Sequence, residues 1–223
     1  MVLIFDMDGV IVDNHQWHFK AWVEFGKRHW LRITRTEFDK HVGTTNASIL
    51  NALFSDKLNS KQVNVLSKEK ENIYREIYAP HIQPVSGLPE FLQYASDSGI
   101  PIALATSAIA ENVDFTLDAT GLRKYFAHIT DASMVKKGKP DPEIYLKTAK
   151  KLDVNPAECI VFEDSIAGII AAQKAGMFAV GLATSFKASD LLNYVNKIIE
   201  NFEGADKLLP QWWQAANNKP IIP

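Results

Sequence analysis

The sequence predicts an α/β protein: a doubly wound parallel sheet covered on both faces, with an all-helical domain inserted into it. Three observations carry this. Short, unbroken apolar runs rich in strand formers recur along the chain, helical periodicity fills the gaps between the later ones, and one long early stretch has helical periodicity with no such run. A strand buried on both faces shows no polar alternation, and alternation of such strands with helices builds a parallel sheet.

The first run is Val2, Leu3, Ile4 and Phe5. Residues 14–84 follow, with helical stripes at Trp17, Ala21 and Phe25, at Ile49, Leu50, Leu53 and Phe54, and at Leu66, Ile73 and Ile77. Pro80, Pro84 and Gly87 bound this stretch on its far side. The expected organisation is a sheet domain of residues 1–13 and 85–223 with a helical cap domain of residues 14–84. Ligands of doubly wound sheets bind at the carboxyl ends of the strands, so an insert leaving the first strand is expected to cover the site. Within it, the Lys-Glu-Lys-Glu run from Lys68 to Glu71 reads as a solvated helix face.

A helix follows on Leu88, Phe91, Leu92 and Ala95, stopping before Gly99, and then a strand from Pro101 to Ala105. Asp141 reads as an N-cap and Pro142 as the first residue of a helix with its stripe at Ile144, Tyr145, Thr148, Ala149 and Leu152, ending near Asp153. Cys159 to Phe162 is a further buried strand, and Phe178 to Leu182 a weaker copy. Ile166, Ile169, Ile170 and Gln173 form the helical stripe between them, before Gly176. Trp212 and Trp213 are expected to pack a final helix on the sheet.

The composition is that of a soluble globular chain, with 47% apolar and 22% charged residues in 223, and it excludes several classes of function. Twenty-four basic against 26 acidic side chains leave a formal charge of -2, which offers no general field for nucleic acid or anionic lipid. A single cysteine, Cys159, forms no disulfide within the chain, which favours the reducing cytoplasm. Neither a signal peptide nor a spanning segment is legible, so no membrane partner is expected.

The chemistry lies at the ends of the runs. Asp6 and Asp8 leave the first strand on one side, and Gly9 permits a sharp turn. Two carboxylates this close call for a divalent metal or a shared proton, although an Asp-Gly turn after a strand is a common structural feature. Thr106 and Ser107 follow a strand and precede a helix, which suits either a phosphate cradle or an ordinary N-cap. Lys139, between turns at Gly138 and Pro140, suits either an ammonium fixed over a phosphate or an ordinary exposed lysine. Glu163 and Asp164 end the Cys159 run and precede a helix, and their hard oxygens suit Mg2+.

The chain order of these groups (acid pair, hydroxyl, lysine, acid pair) resembles the haloacid dehalogenase-like superfamily across nearly its whole length. The motifs are Asp6-Met-Asp8-Gly-Val, Thr106, Gly138-Lys139-Pro140-Asp-Pro142 and Phe162-Glu163-Asp164-Ser-Ile-Ala-Gly168. The chain is most similar to the helical-cap subgroup of beta-phosphoglucomutases and sugar-phosphate phosphatases. The resemblance implies a Rossmann-like core and a reaction in which Asp6 attacks phosphorus and becomes an aspartyl phosphate. It implies that Asp8 serves as general acid and then base, that Thr106 donates to the phosphoryl group and that Lys139 neutralises its charge. Mg2+ is implied on Asp6, the Asp8 carbonyl, Asp164 and Glu163. An acid at position 8 points to phosphate esters rather than to the dehalogenase, phosphonatase or ATPase branches.

The chain departs from the mutase pattern in the cap. His18 and Trp22 match it, with His18 either coupling closure to Asp8 or standing as a surface histidine. At Gly43 the mutase loop carries flanking Lys and Arg that hold a second phosphate, where this chain has Val42 and Asn46. Asn46 is read as substrate-contacting or as the N-cap of the helix from Ala47 to Leu53. Loss of an Arg–phosphate pair costs on the order of 100-fold in affinity, so water is the expected acceptor. The expectation is therefore a phosphatase of a small phosphorylated metabolite, with Mg2+ as cofactor, Ser107, His18, Gly43 and Asn46 as substrate-binding residues, and a monomer that binds no nucleic acid. The alternatives are a beta-phosphoglucomutase and a non-catalytic phospholigand binder.

Overall fold

The computed structural model describes residues 1–41, 45–55 and 57–217. It divides into two compact units, one of Met1–Asp13 with Gln83–Pro223 and one of Asn14–Ile82.

The first unit is built on a six-stranded sheet. Its strands are β1 (Val2–Phe5), β2 (Ile102–Ala105), β3 (His128–Thr130), β4 (Cys159–Glu163), β5 (Phe178–Leu182) and β6 (Lys197–Ile199), and their order across the sheet is β3-β2-β1-β4-β5-β6. All pairings are parallel. β1 is central, with Phe5 opposite Leu104 of β2 on one side and Phe162 of β4 on the other. Leu3, Ile4 and Phe5 are fully buried, as their unbroken apolar sequence requires. The chain winds outward from β1 in one direction through β3 and in the other from β4, so the switch point lies at the carboxyl ends of β1 and β4, where such folds form their binding crevice.

The helices of this unit are α5 (Leu88–Asp97), α6 (Ala110–Thr120), α7 (Glu143–Lys151), α8 (Ile166–Lys174), α9 (Ala188–Leu191) and α10 (Ala205–Asn217). One sheet face carries an aromatic cluster. Phe5 stacks on Phe162 at 4.6 Å, Phe91 stacks on Phe202 at 5.4 Å, and Trp212 of α10 meets Phe162 edge-on at 6.0 Å. Burying each such ring contributes roughly 2–3 kcal/mol. The other face is mainly aliphatic, with Ile4, Ala103, Val161, Ile144 and Ile169 packed in one cluster with Tyr145.

The structure corrects several local expectations. α7 begins at Glu143, not Pro142, although Asp141 still accepts its first N–H, from Glu143, at 3.0 Å. α8 buries Gly168, Ile169, Ala171 and Ala172, whereas Gln173 is exposed; the small side chains let the helix approach the sheet closely. Strands β3 and β6 add to the expected set; three residues each, at the sheet edges and partly polar, they have no unbroken apolar run.

The helical unit contains α1 (His15–Arg28), α2 (Arg35–Asp39), α3 (Asn46–Leu53) and α4 (Ser60–Tyr78). α1 packs along α4, burying Trp22 and Phe25 with Ile73, Tyr74 and Tyr78. The solvated face expected for Lys68 to Glu71 is contradicted in its second half: Lys70 is 1% exposed and Glu71 4%. They lie on the same inward stripe as Ile73 and Tyr74. The Lys70 ammonium is compensated there by Glu71 Oε1 at 2.8 Å, by His18 Nδ1 at 2.7 Å and by the rings of Trp22 and Tyr74, each 5.4 Å away. Among the described residues, no helix is long and apolar enough to cross a membrane.

Candidate active site

The site grows from the central strand. Asp6 directly follows β1, and its N–H donates to the Phe162 carbonyl at 3.0 Å, carrying the β1–β4 pairing one residue past the strand. The chain then turns tightly, with Gly9 donating to the Val12 carbonyl at 2.8 Å and Ile11 to the Met7 carbonyl at 2.8 Å. Gly9 has φ +76°, and a Cβ there would stand 2.0 Å from Asp164 Oδ2. Glycine is required twice over, by conformation and by space.

Glu163 ends β4 and Asp164 follows it. The Asp6, Glu163 and Asp164 carboxylates are buried and offer oxygens that all lie within 4.8 Å of one another. Lys139 enters from the loop before α7: its Nζ donates to Asp6 Oδ1 at 2.7 Å, to Glu163 Oε1, and more weakly to the Ala105 carbonyl at 3.4 Å. One ammonium thus joins the ends of β1, β2 and β4.

Glu163 is held on both oxygens. Oε1 accepts from Lys139 and from the Tyr145 hydroxyl at 2.8 Å, and Oε2 from the N–H groups of Asp164 and Ser165 and from Ser165 Oγ at 2.9 Å. Gly168 makes room for it, since a Cβ there would fall 1.8 Å from Oε1.

Electrostatics follow from burial. Asp6 is pushed up to about 8, first by desolvation and then by the charges of Glu163 and Asp8, against the opposing pull of Lys139. Asp164 is raised well above the usual carboxylate range, by burial and then by Glu163 and Asp6. Burial alone would lower Lys139, but Asp6 and Glu163 outweigh it and hold the ammonium protonated. Ionising all three buried carboxylates against the one ammonium would leave excess negative charge, which is why Asp6 and Asp164 keep their protons in the metal-free site. Their hard oxygens are the donors that a small divalent cation takes, and such a cation supplies the missing charge.

Asp8 is half-buried two residues on, close enough to raise Asp6 electrostatically. Thr106 follows β2 and is buried, while Ser107 is exposed. Thr106 does not cap a helix. α6 starts at Ala110 with Ile109 as N-cap, and Thr106 Oγ1 accepts from the Ala108 N–H at 3.0 Å. Its carbonyl neighbour Ala105 contacts Lys139, so the ends of β1, β2 and β4 and the lysine meet in one place.

Two expected cap residues lie in the helical unit. His18 stacks on Tyr74 at 3.9 Å with its Nδ1 on Lys70, so it is a partly buried network residue and not a surface histidine. Asn46 is the first residue of α3, whose N-cap is Thr45; its side chain donates to Glu71 Oε1 at 2.6 Å. Gly43, with its neighbours Val42 and Thr44, lies outside the described residues.

The family profile described as haloacid dehalogenase-like hydrolase matches residues 3–182. The chain belongs to that family. Among its relatives are the beta-phosphoglucomutase of Bacillus subtilis, 32% identical over 188 residues, covering 81% of this chain and 82% of the relative, and the fructose-1-phosphate phosphatase YqaB of Escherichia coli, 32% identical over 178 residues, covering 80% and 94%. The crystal structure of beta-phosphoglucomutase from Clostridium difficile superposes with a TM-score of 0.86 at 27% identity, covering 98% of this chain and 99% of that one.

Haloacid dehalogenase-like motifs account for the carboxylates and the lysine but not for everything that touches them. Tyr145 was legible only as a core residue of α7, yet its hydroxyl reaches Glu163 and its ring lies 5.1 Å from Lys139 Nζ. Thr184 and Ser185, after β5, bond to the Gly9 carbonyl and to Asp164. Isolated hydroxyls in a loop carry no local pattern; the one signal was position, since they too follow a buried strand.

Proposed function

We propose that this chain is a Mg2+-dependent phosphatase that hydrolyses a small phosphate monoester, of the sugar-phosphate class, through an aspartyl phosphate on Asp6. The observation that carries the proposal is the Lys139 ammonium 2.7 Å from Asp6 beside two further buried carboxylates. An anionic nucleophile must meet an anionic phosphoryl group, and fixed positive charge at that point lowers the barrier.

In the proposed sequence an Asp6 oxygen attacks phosphorus, and the bond from phosphorus to the alcohol oxygen breaks as Asp8 gives that oxygen its proton. Asp8 then takes a proton from water as the water oxygen attacks phosphorus, releasing inorganic phosphate and regenerating the Asp6 carboxylate. Thr106 donates to the phosphoryl oxygens and Lys139 offsets their charge. Asp6, Asp164 and the Asp8 carbonyl would hold Mg2+, and Glu163 would join them if Lys139 turns from it to the phosphoryl group. The metal supplies charge stabilisation at the transferring phosphoryl oxygens.

The alcohol acceptor of a mutase carries a second phosphate, and this chain has Val42 and Asn46 where the mutase loop carries the Lys and Arg that hold it. Within the helical unit Asn46 is engaged by Glu71, which also pairs with the buried Lys70. Water is the acceptor that this arrangement favours. The similarity to a beta-phosphoglucomutase, equal in identity to that with the fructose-1-phosphate phosphatase, is the observation for the second reading.

Phosphate release from a panel of sugar phosphates with Mg2+ tests the proposal. Release is expected to fall by at least about 1,000-fold in Asp6→Asn and on chelation, a loss of roughly 4 kcal/mol in transition-state stabilisation. Asp6→Asn turning over like wild type contradicts it. Interconversion of glucose phosphates with little free phosphate reverses the order of the two readings, and tight ligand binding with no turnover favours a non-catalytic binder.

A further inference from the structure

We propose that Ser185 and Thr184 are positioning residues for the cation site: Ser185 fixes the Asp164 carboxylate, and Thr184 fixes the turn that carries the Asp8 carbonyl. This rests on the reading that Asp164 takes the cation. Ser185 Oγ donates to Asp164 Oδ2. That oxygen is walled on another side by the Cα of Gly9, where even a methyl group would overlap it. With Oδ2 held between a hydroxyl and a glycine, the carboxylate has one orientation, and Oδ1 is the oxygen assigned to the cation.

Thr184 acts on the other partner. Its Oγ1 donates to the Gly9 carbonyl at 2.6 Å, spanning from the loop after β5 to the loop after β1. Gly9 has left-handed φ, and the Asp8–Gly9 turn is tied on its other side by the Gly9 N–H to the Val12 carbonyl. Fixing both the N–H and the C=O of residue 9 fixes the peptide before it, which contains the Asp8 carbonyl.

Among the described residues these hydroxyls show no competing local duty. The next helix, α9, has Lys187 as its N-cap and no side-chain cap bond. Two adjacent hydroxyls instead reach the two loops, after β1 and β4, that bear the proposed ligands. Groups that orient metal ligands in this way typically carry about 10–100-fold in metal affinity.

The test is isothermal titration of metal-stripped protein with Mg2+, together with electron paramagnetic resonance of Mn2+ as a direct binding probe. Wild type, Ser185→Ala, Ser185→Thr, Thr184→Val and Asp164→Asn are compared, with thermal melts as a folding control. Ser185→Ala is expected to weaken binding by about 10–100-fold, to raise the half-saturating Mg2+ concentration to match, and to regain most of its kcat at saturating Mg2+. Ser185→Thr, which keeps the hydroxyl, restores the affinity, and Thr184→Val weakens it independently. Wild-type affinity in both Ser185→Ala and Thr184→Val overturns the positioning assignment and leaves the cation reading intact. Equal binding, or none, in wild type and Asp164→Asn overturns the cation reading itself and the assignment with it.

Discussion

Asp6 is the residue in which the site's opposing demands meet. A nucleophile must be ionised, yet burial beside Glu163 and Asp8 raises its pKa to about 8 in the metal-free protein. The unfolded chain ionises an aspartate near 3.9. Between roughly pH 4 and 8 the unfolded state therefore holds fewer protons at this position than the folded state, and the stability present below pH 4 is lost as pH rises through 8. Asp164, raised by burial and by Glu163, acts in the same direction. In chelator, the stability of wild type relative to Asp6→Asn is thus expected to fall across this window in pH-dependent melts; a flat or rising difference would contradict the burial argument. The carboxylates and Lys139 were legible because each belongs to a motif at the end of an apolar run. Tyr145, Thr184 and Ser185 were not, because their hydroxyls matter only through what the sheet brings to them across 18, 175 and 21 residues.

At the scale of elements, the charge run in α4 is the instructive case. Lys68 and Lys70 are identical in type, and one is exposed while the other is buried. Helical phase decides it: residues 70, 73, 74 and 78 share the face packed on α1, so Lys70 goes inward with them. A buried ammonium persists only with compensation, and Glu71 and His18 provide it. Lys70→Met leaves Glu71 buried without its ammonium and is expected to cost about 3–5 kcal/mol. The double variant Lys70→Met/Glu71→Leu, which removes both charges, is expected to recover most of that in urea unfolding. Equal losses in the two would show that the pair does not act as a unit. Buried strands β1, β2, β4 and β5 were legible from unbroken apolar sequence. β3 and β6 were not, because a three-residue edge strand such as Lys197-Ile-Ile takes its structure from the neighbour it pairs with.

For the whole molecule, parallel winding outward from β1 is what turns sequence distance into proximity. Asp6 and Lys139 are 133 residues apart and 2.7 Å apart in space, because β1 is central and the loops after β1, β2 and β4 all open on one edge of the sheet. The same winding brings the loop after β5 to Gly9 and Asp164. The order of motifs conveyed that edge, while the content of the helical unit came through less well, since its polar residues pair with one another in ways no linear spacing shows. The measurement that goes to the centre is acid quenching during turnover of a sugar phosphate with Mg2+, followed by mass analysis of the peptide bearing Asp6. That peptide is expected to gain one phosphoryl group, on Asp6, in an adduct cleaved by hydroxylamine. Steady release of phosphate with Asp6 unmodified, and undiminished in Asp6→Asn, would contradict the account.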